Sequence, residues 1–470
     1  MALREPIDVQ PLESLGRVHF IAIGGAGMSG IAQLFHARGV QVSGSDQTDS
    51  SVLRQLAATG IPTFVGHEAA QLGEADTVVV SSAIRETNPE LAEARRRGLR
   101  VLHRSAALAS LMHGKVGVAI AGTHGKTTTT GMTAVMLAAA GLDPSYVIGS
   151  PLASSGTSAH LGTGDVFVVE ADESDGSFLQ YPTTIAVVTN VEADHLDNWQ
   201  TPQAYIDGFV RFASQPGVAV LVANSDDPGA AELADRVEAL GTTVVRYGSG
   251  PGADVRLSEL DFEGTTASGV LDHGGSSGRI RLQVPGRYNL ENAAAAYAVG
   301  RQLGCSHEQL VAGAAAFTGT LRRFQLVGES GGVRVYDDYA HHPTELRAAL
   351  TAARRAVGEG RLIACFQPHL YSRTAEFADE FGEALTLADL AVVTDVYGAR
   401  EDPVPGVSGD LVVQAGQAHG GEVSYVPDKR DLPGWLASHS RPGDLVMTLG
   451  AGDVTLVGPL LVDLLREGTA

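Results

Sequence analysis

The stretch "GVAIAGTHGKTTTTGM", residues 117–132, runs from an apolar strand through a glycine turn into a lysine and four threonines. Strand, glycine turn and helix in that order are the signature of a phosphate-binding loop in an α/β domain. The usual pattern places four residues between its first glycine and Gly-Lys-Ser/Thr, which would require glycine at Ile120. Here the first glycine is Gly122, so the loop is two residues shorter. A second phosphate-binding pattern occurs earlier, in "VHFIAIGGAGMSGIAQLF", where Gly25, Gly27 and Gly30 give G-x-G-x-x-G between a strand and a helix.

Outward from these loops, strand and helix signals alternate. Residues 18–110 offer "VHFIAI", a helix from Met28 to about Arg38, "VQVSGSD", a helix near Val52 to Thr59, "TVVVSSA" and a helix around Glu90 to Arg97. That alternation predicts a doubly wound parallel sheet. The pattern restarts near "LMHGK" and again after "GTLRRFQLVGES". The expectation is an α/β protein of three domains: a Rossmann-like domain over 1–113, a central P-loop domain over 114–320 and a Rossmann-like domain over 321–470. "LDHGGSSGRI" reads as a hairpin turn or surface loop.

At 470 residues and 44% hydrophobic composition the chain can bury large cores. The start "MALREPIDVQPLESLGR" lacks a basic segment leading into an apolar one, and no run approaches the roughly 20 apolar residues of a membrane span. A cytoplasmic location without membrane partners is expected. Two cysteines, Cys305 and Cys365, provide neither a disulfide framework nor a thiolate metal site. The net charge of -21 argues against nucleic-acid partners. Small anions must then be held by backbone amides, helix N-termini and a few cations. Lys and Arg total 33, yet only Lys115, Lys126 and Lys429 are lysines. One of the three falls in the phosphate loop, where a compact point charge is useful.

In that loop Gly122 and Gly125 let the backbone curl round phosphate oxygens with Thr123, His124 and Thr128, Lys126 reaches the terminal phosphates, and the Thr127 hydroxyl suits Mg2+. A triphosphate site also needs a strand ending in an acid. "VFVVEADESD" supplies Glu170, although Asp172, Glu173 and Asp175 in the same turn leave open a solvated acidic loop. His195, in "TNVEADHLDNW", is either a metal ligand or a helix-capping group. "DDYAHHPTE" is no zinc motif, because adjacent His341 and His342 lack the i, i+4 spacing of a zinc helix. Asp46, ending the second strand 16 residues after Gly30, stands where a dinucleotide fold meets ribose hydroxyls.

"GTHGKTTTT", "VEADESDGSF", "TNVEADHLDNW", "RYNLENAAAAYA", "LRRFQLVGE", "DDYAHHPTE" and "FQPHLYSRT" occur in an order and spacing that resembles the Mur ligases, ATP-dependent amino-acid ligases of peptidoglycan precursor synthesis. The resemblance covers nearly the whole chain. With "HFIAIGGAGMSGIA" and "VSGSD" it implies the alanine-adding branch, with UDP-N-acetylmuramate and L-alanine as substrates and ATP and Mg2+ as cofactors. A lactyl carboxylate would attack the γ-phosphate, and the amine of alanine would then attack the acyl phosphate.

On this resemblance Gly25, Ala26, Gly27, Met28, Ser29, Gly30, Asp46 and Ser82 hold the UDP-sugar. Lys126 stabilises the transferring phosphoryl group, Thr127 and Glu170 match ligands of one magnesium, and His195 matches a ligand of a second. Asn289 and Asn292 match the adenine-side pair, Arg323 and Asp338 reach the nucleotide, and Tyr339, His369 and Arg373 lie near the amino acid. The four-residue spacing of His369 and Arg373 would put both on one helical face if that segment is helical, and the alternative for Arg373 is an ordinary surface arginine. The family often has histidine where this chain has Tyr288. Later-acting relatives use a carbamylated lysine for the second magnesium, but no lysine lies between Lys126 and Lys429. Because Lys126 and Arg323 lie on different expected domains, domain closure is implied. A monomer or weak homodimer is expected.

Other readings stay open: a recycling ligase that adds a murein tripeptide to the same sugar, a non-catalytic nucleotide-binding regulator, and a nicotinamide-dependent dehydrogenase on the first domain. Phosphate release that requires the UDP-sugar and alanine together separates them.

Overall fold

The computed structural model describes residues 3–399 and 401–468. Its architecture is α/β, with three sheets in chain order. The first contains β1 (Val18–Ile21), β2 (Val42–Asp46), β3 (Thr63–Val65), β4 (Thr77–Val80) and β5 (Arg100–His103), in the order β3-β2-β1-β4-β5. All four pairings are parallel. β1 therefore has its successors on either side, and the crevice at its carboxyl end receives the first glycine loop.

The second sheet contains β6 (Val116–Ala121), β7 (Ser145–Val147), β8 (Ala159–His160), β9 (Val166–Glu170), β10 (Ile185–Val188), β11 (Val220–Asn224), β12 (Thr243–Gly248), β13 (Val255–Glu263), β14 (Thr266–His273) and β15 (Ser276–Leu282). Its order is β15-β14-β13-β12-β11-β10-β6-β9-β7-β8. β6 lies parallel between β9 and β10. The residues of all three are almost wholly buried, as unbroken Val, Ile and Ala runs require in a sheet covered on both faces. β14 and β15 are joined by Gly274 and Gly275, both with positive φ (55° and 82°), the twist a two-residue hairpin favours. "LDHGGSSGRI" is thus a hairpin turn.

The third sheet contains β16 (Gln325–Ser330), β17 (Val333–Asp338), β18 (Leu362–Phe366), β19 (Leu390–Val393), β20 (Val423–Tyr425) and β21 (Leu445–Leu449), ordered β16-β17-β21-β18-β19-β20. Only the β16–β17 pairing is antiparallel. The helix Pro343–Val357 starts on its proline, where a missing N–H costs nothing. Cys305 and Cys365 are buried and free, and burial pushes the Cys365 thiol up to about 12.

By contact the chain divides into two compact units. One comprises residues 1–258, 270–280 and 291–317, the other 259–269, 281–290 and 318–470. Among the described residues no helix is long and apolar enough to cross a membrane.

Candidate active site

The carboxyl ends of β9, β6 and β10 are adjacent, so Glu170, the loop 122–128 and residues 189–195 converge. Gly122 has φ +134°, and a Cβ there would lie 2.0 Å from Thr189 Oγ1. Gly125 has φ +82°, and a Cβ there would lie 2.9 Å from Asn292 Oδ1. Both glycines are required sterically. The loop is strapped to the β10 end: His124 N donates to Asn190 Oδ1 (2.8 Å), the Thr189 hydroxyl to His124 O (2.6 Å), and the Thr123 hydroxyl to Glu192 O (2.9 Å). Thr128 is buried in the first turn of the helix Lys126–Ala139.

Lys126 Nζ donates to Gly122 O (2.6 Å) and lies 2.8 Å from Glu173 Oε2. Burial works against its charge, but Glu173, Asp172 and Glu170 hold its pKa above the usual lysine value. Glu173 goes the other way: burial lifts its carboxyl to about 7 despite Lys126. The Thr127 hydroxyl donates to Glu170 Oε1 (2.8 Å), and Gly149 N donates to Glu170 Oε2 (2.6 Å).

The acidic turn after Glu170 is no solvated loop, since each acid has its own partner. Arg104 Nη2 donates to Asp172 Oδ2 at 2.8 Å. Burial alone would raise the Asp172 carboxyl, but Arg104, the bonds to Ser174 and Lys126 drive it below the ordinary range. The Ser82 hydroxyl donates to Asp175 Oδ2 at 2.6 Å. His103 Nε2 lies 3.2 Å from Ser82 Oγ, and burial with the charges of Arg4 and Arg104 lowers the His103 imidazole to about 3.

His195 heads the short helix Leu196–Trp199 with φ +55° and makes no side-chain cap bond. Its Nε2 lies 3.5 Å from Asp194 Oδ2 and 4.0 Å from Glu173 Oε1. His195 thus stands at the cap position of that helix, and its imidazole faces carboxylates beside the phosphate loop.

The first glycine loop turns at Ala22 (φ +61°). Asp46 braces it, accepting from Gly24 N (3.0 Å) and Thr48 N (3.1 Å). A Cβ on Gly27 would lie 3.0 Å from Arg104 Nη1, and one on Gly30 would lie 3.0 Å from Ala159 Cβ. Ala26 opens the helix Ala26–Ala37, two residues before the expected Met28, with Gly25 as its cap. Met28 and Ser29 are buried.

In the second unit Arg322 and Phe324 both have positive φ (59° and 49°), so Arg323 is presented between two left-handed residues. The Arg322 guanidinium is tied to Asp337 (3.2 Å) and Gly450 O (2.6 Å), and both arginines lie over the Tyr339 ring, Arg322 at 4.8 Å and Arg323 at 5.0 Å. Asp338 accepts from Phe324 N and Ala340 N, both at 2.8 Å. Burial lifts its carboxyl to about 6, with Arg323 opposing. Tyr288 is packed near Asp338 and Arg323, and burial raises its hydroxyl pKa.

Asn289 is buried and donates to Pro285 O at 2.7 Å. Arg373, expected as either a ligand or a surface arginine, is buried at 6% exposure in the first turn of the helix Tyr371–Leu385. His369 precedes that helix, because Leu370 takes φ +70°, ψ 135°. The two do not share a helical face, and the i, i+4 relation expected of them is corrected.

Sequence reasoning missed three supports: Arg104, Glu173 as the lysine's counter-ion, and the Thr189–Asn190–Glu192 strap. Only Glu173 had a local signal, as one of the acids crowded into the turn after β9, the strand that pairs with β6.

Two nucleotide-type loops at parallel strand ends, with a lysine, a hydroxyl and a strand-end acid at the second, define a phosphate-handling α/β enzyme. Residues 17–116 match the family model described as Mur ligase family, catalytic domain. Residues 120–300 match the Mur ligase middle domain, and residues 322–452 match the Mur ligase, glutamate ligase domain. The chain belongs to the Mur ligase family. It is 67% identical to the UDP-N-acetylmuramate--L-alanine ligase of Cutibacterium acnes over the full length of both chains. It is 54% identical to the corresponding ligase of Kineococcus radiotolerans, covering 98% of each. Among solved structures it is similar to the UDP-N-acetylmuramate-alanine ligase of Thermotoga maritima (TM-score 0.82, 27% identity, 96% of this chain and 99% of that one). A murein peptide ligase from Psychrobacter arcticus gives a TM-score of 0.72 at 25% identity, with the same coverage.

Proposed function

We propose that this protein is an ATP-dependent ligase that joins L-alanine to the lactyl carboxylate of UDP-N-acetylmuramate, giving UDP-N-acetylmuramoyl-L-alanine, ADP and phosphate in the cytoplasm. The observation that carries the chemistry is Lys126 on the short loop, with Thr127 and Glu170 paired beside it. The full-length similarity to alanine-adding relatives carries the substrate. Domains 1–113, 114–320 and 321–470 take the UDP-sugar, ATP and amino acid respectively.

The lactyl carboxylate oxygen attacks the γ-phosphorus and ADP leaves. The alanine amine then attacks the carbonyl carbon, and the collapsing tetrahedral intermediate expels phosphate. Lys126 offsets charge on the moving phosphoryl group, and the loop amides, fixed by the Asn190 and Thr189 bonds, need no reorganisation as charge shifts. Glu173 holds the lysine in place before nucleotide arrives. Arg323 and Asp338 complete the nucleotide site, with Asn289 and Asn292 on the adenine side.

The hard oxygen set of Thr127 and Glu170, 2.8 Å apart, fits Mg2+. His195 among carboxylates would hold a second ion. Bound there, the ions neutralise the anions that must meet. On the sugar side, Gly25 to Gly30 and Ser82 hold the diphosphate through backbone amides and the helix N-terminus. Tyr339, His369 and Arg373 receive alanine, and the buried guanidinium counters its carboxylate.

Phosphate release with UDP-N-acetylmuramate and ATP should require L-alanine and proceed poorly with glycine or serine. A preference for L-alanyl-γ-D-glutamyl-diaminopimelate would assign the recycling ligase instead.

A further inference from the structure

We propose that Tyr397 determines the size of amino acid that the ligase accepts, by walling off the His369 subsite from a cavity behind it. The inference rests on the reading that His369 and Arg373 receive the amino acid. The Tyr397 ring stacks on the His369 imidazole, with centroids 5.9 Å apart and planes at 15°. His341 meets the same imidazole edge-on at 5.8 Å and 86°. His369 is thus held between two rings, one of which, Tyr397, has no other part in the mechanism.

The backbone that carries the ring is tied on both sides. Tyr397 N donates to Pro368 O (2.9 Å), and Leu370 N donates to Tyr397 O (3.0 Å). Behind the ring stands Gly452, where a Cβ would lie 2.7 Å from Tyr397 Cγ. Tyr397 is 37% exposed, and the stacking on His369 with the close approach of Gly452 limits where its ring can go.

Tyr397 also lines a broad, surface-open cavity of about 630 Å³ at the strand ends, with Gln367, Asp395, Asp428, Lys429 and Asp453; His369 does not line it. Alanine's methyl group needs none of this space. The cavity is polar, and its charges are already committed: Lys429 pairs with Asp453, Arg430 Nε donates to Asp428 (2.9 Å), and Asp395 accepts from Val396 N (3.0 Å) and Gly409 N (3.2 Å). With the partition removed, the space suits a neutral, hydrogen-bonding side chain longer than methyl.

The test measures kcat/KM for L-alanine, L-serine and L-glutamine in Tyr397→Ala, Tyr397→Leu and Tyr397→Phe. A pocket that excludes by bulk discriminates by about 10- to 200-fold per group. Loss of the wall should therefore raise the glutamine-to-alanine ratio at least about tenfold in the Ala variant, with an unchanged KM for ATP. The Leu variant should fall between, and the Phe variant should keep wild-type selectivity, since ring volume and stacking survive. An unchanged ratio in both the Ala and Leu variants, or a Phe variant as relaxed as Ala, overturns the proposal. Arg373→Ala is measured alongside. If its KM for alanine is unchanged, the reading of the amino-acid site is wrong; if that KM rises while the Tyr397 variants keep their selectivity, only this inference fails.

Discussion

Replacing Gly125 by alanine tests whether the phosphate loop and Asn292 are built against one another. Gly125 takes φ +82°, ψ -5° at the cap of the helix Lys126–Ala139, and a left-handed backbone costs an L side chain about 1–2 kcal/mol. The new methyl would lie 2.9 Å from Asn292 Oδ1, closer than real contacts allow, and crowding of this kind adds about 1–3 kcal/mol. Gly125→Ala should lose about 2–5 kcal/mol in urea denaturation. The two costs separate in a double-mutant cycle with Asn292→Ala, because removing the amide relieves the crowding and leaves the dihedral strain. The coupling should be about 1 kcal/mol or more, favouring the double variant. ATP affinity should fall in Gly125→Ala even where the fold survives, since the methyl displaces Asn292, proposed above on the adenine side. Additivity within about 0.3 kcal/mol, with wild-type ATP affinity, would refute the reasoning.

Lys126→Arg should cost about 3 kcal/mol of transition-state stabilisation, roughly a hundredfold in kcat, because a planar guanidinium cannot occupy the lysine's place; near-normal turnover removes the loop from the mechanism. Glu170→Ala and His195→Ala should each lower the rate and raise the magnesium needed for half-maximal activity, and an unchanged magnesium curve for His195→Ala would make that residue structural. The His103 imidazole is held near 3 against 6.5 when free, so its contribution to stability is complete above pH 6.5 and is lost as pH falls toward 3, at up to about 1.4 kcal/mol per pH unit. His103→Gln should therefore lose less stability than wild type between pH 7 and pH 5 in urea titrations, and parallel curves would contradict the assignment.

The parts of the site legible in sequence were those in which chemistry sits on consecutive residues. The strand-glycine-lysine run fixed the central fold and placed Lys126 and Thr127 within reach of Glu170, and "VFVVEAD" exposed its acid at a strand end because the preceding run is apolar throughout. Arg104 was invisible because its partner Asp172 is 68 residues away, and nothing near either residue announces the other. Asp46 was legible as a strand-end acid but not as a brace, since its partners are backbone amides that any sequence possesses. His369 and Arg373 were read as one helical face because their spacing fits, and Leu370 broke the relation by adopting a left-handed φ that non-glycine residues seldom signal. Glu173 was seen only as one more acid in a crowded turn; its role follows from its burial against Lys126, a property of packing rather than pattern.

The central claim is that the lactyl carboxylate is activated by phosphoryl transfer from ATP before alanine attacks. If so, a carboxylate oxygen must leave with the phosphate. UDP-N-acetylmuramate labelled with oxygen-18 in its carboxylate, incubated with ATP, L-alanine and the protein, should give inorganic phosphate carrying one labelled oxygen per amide bond formed, as read by mass spectrometry. Unlabelled phosphate released in step with the amide would contradict the account.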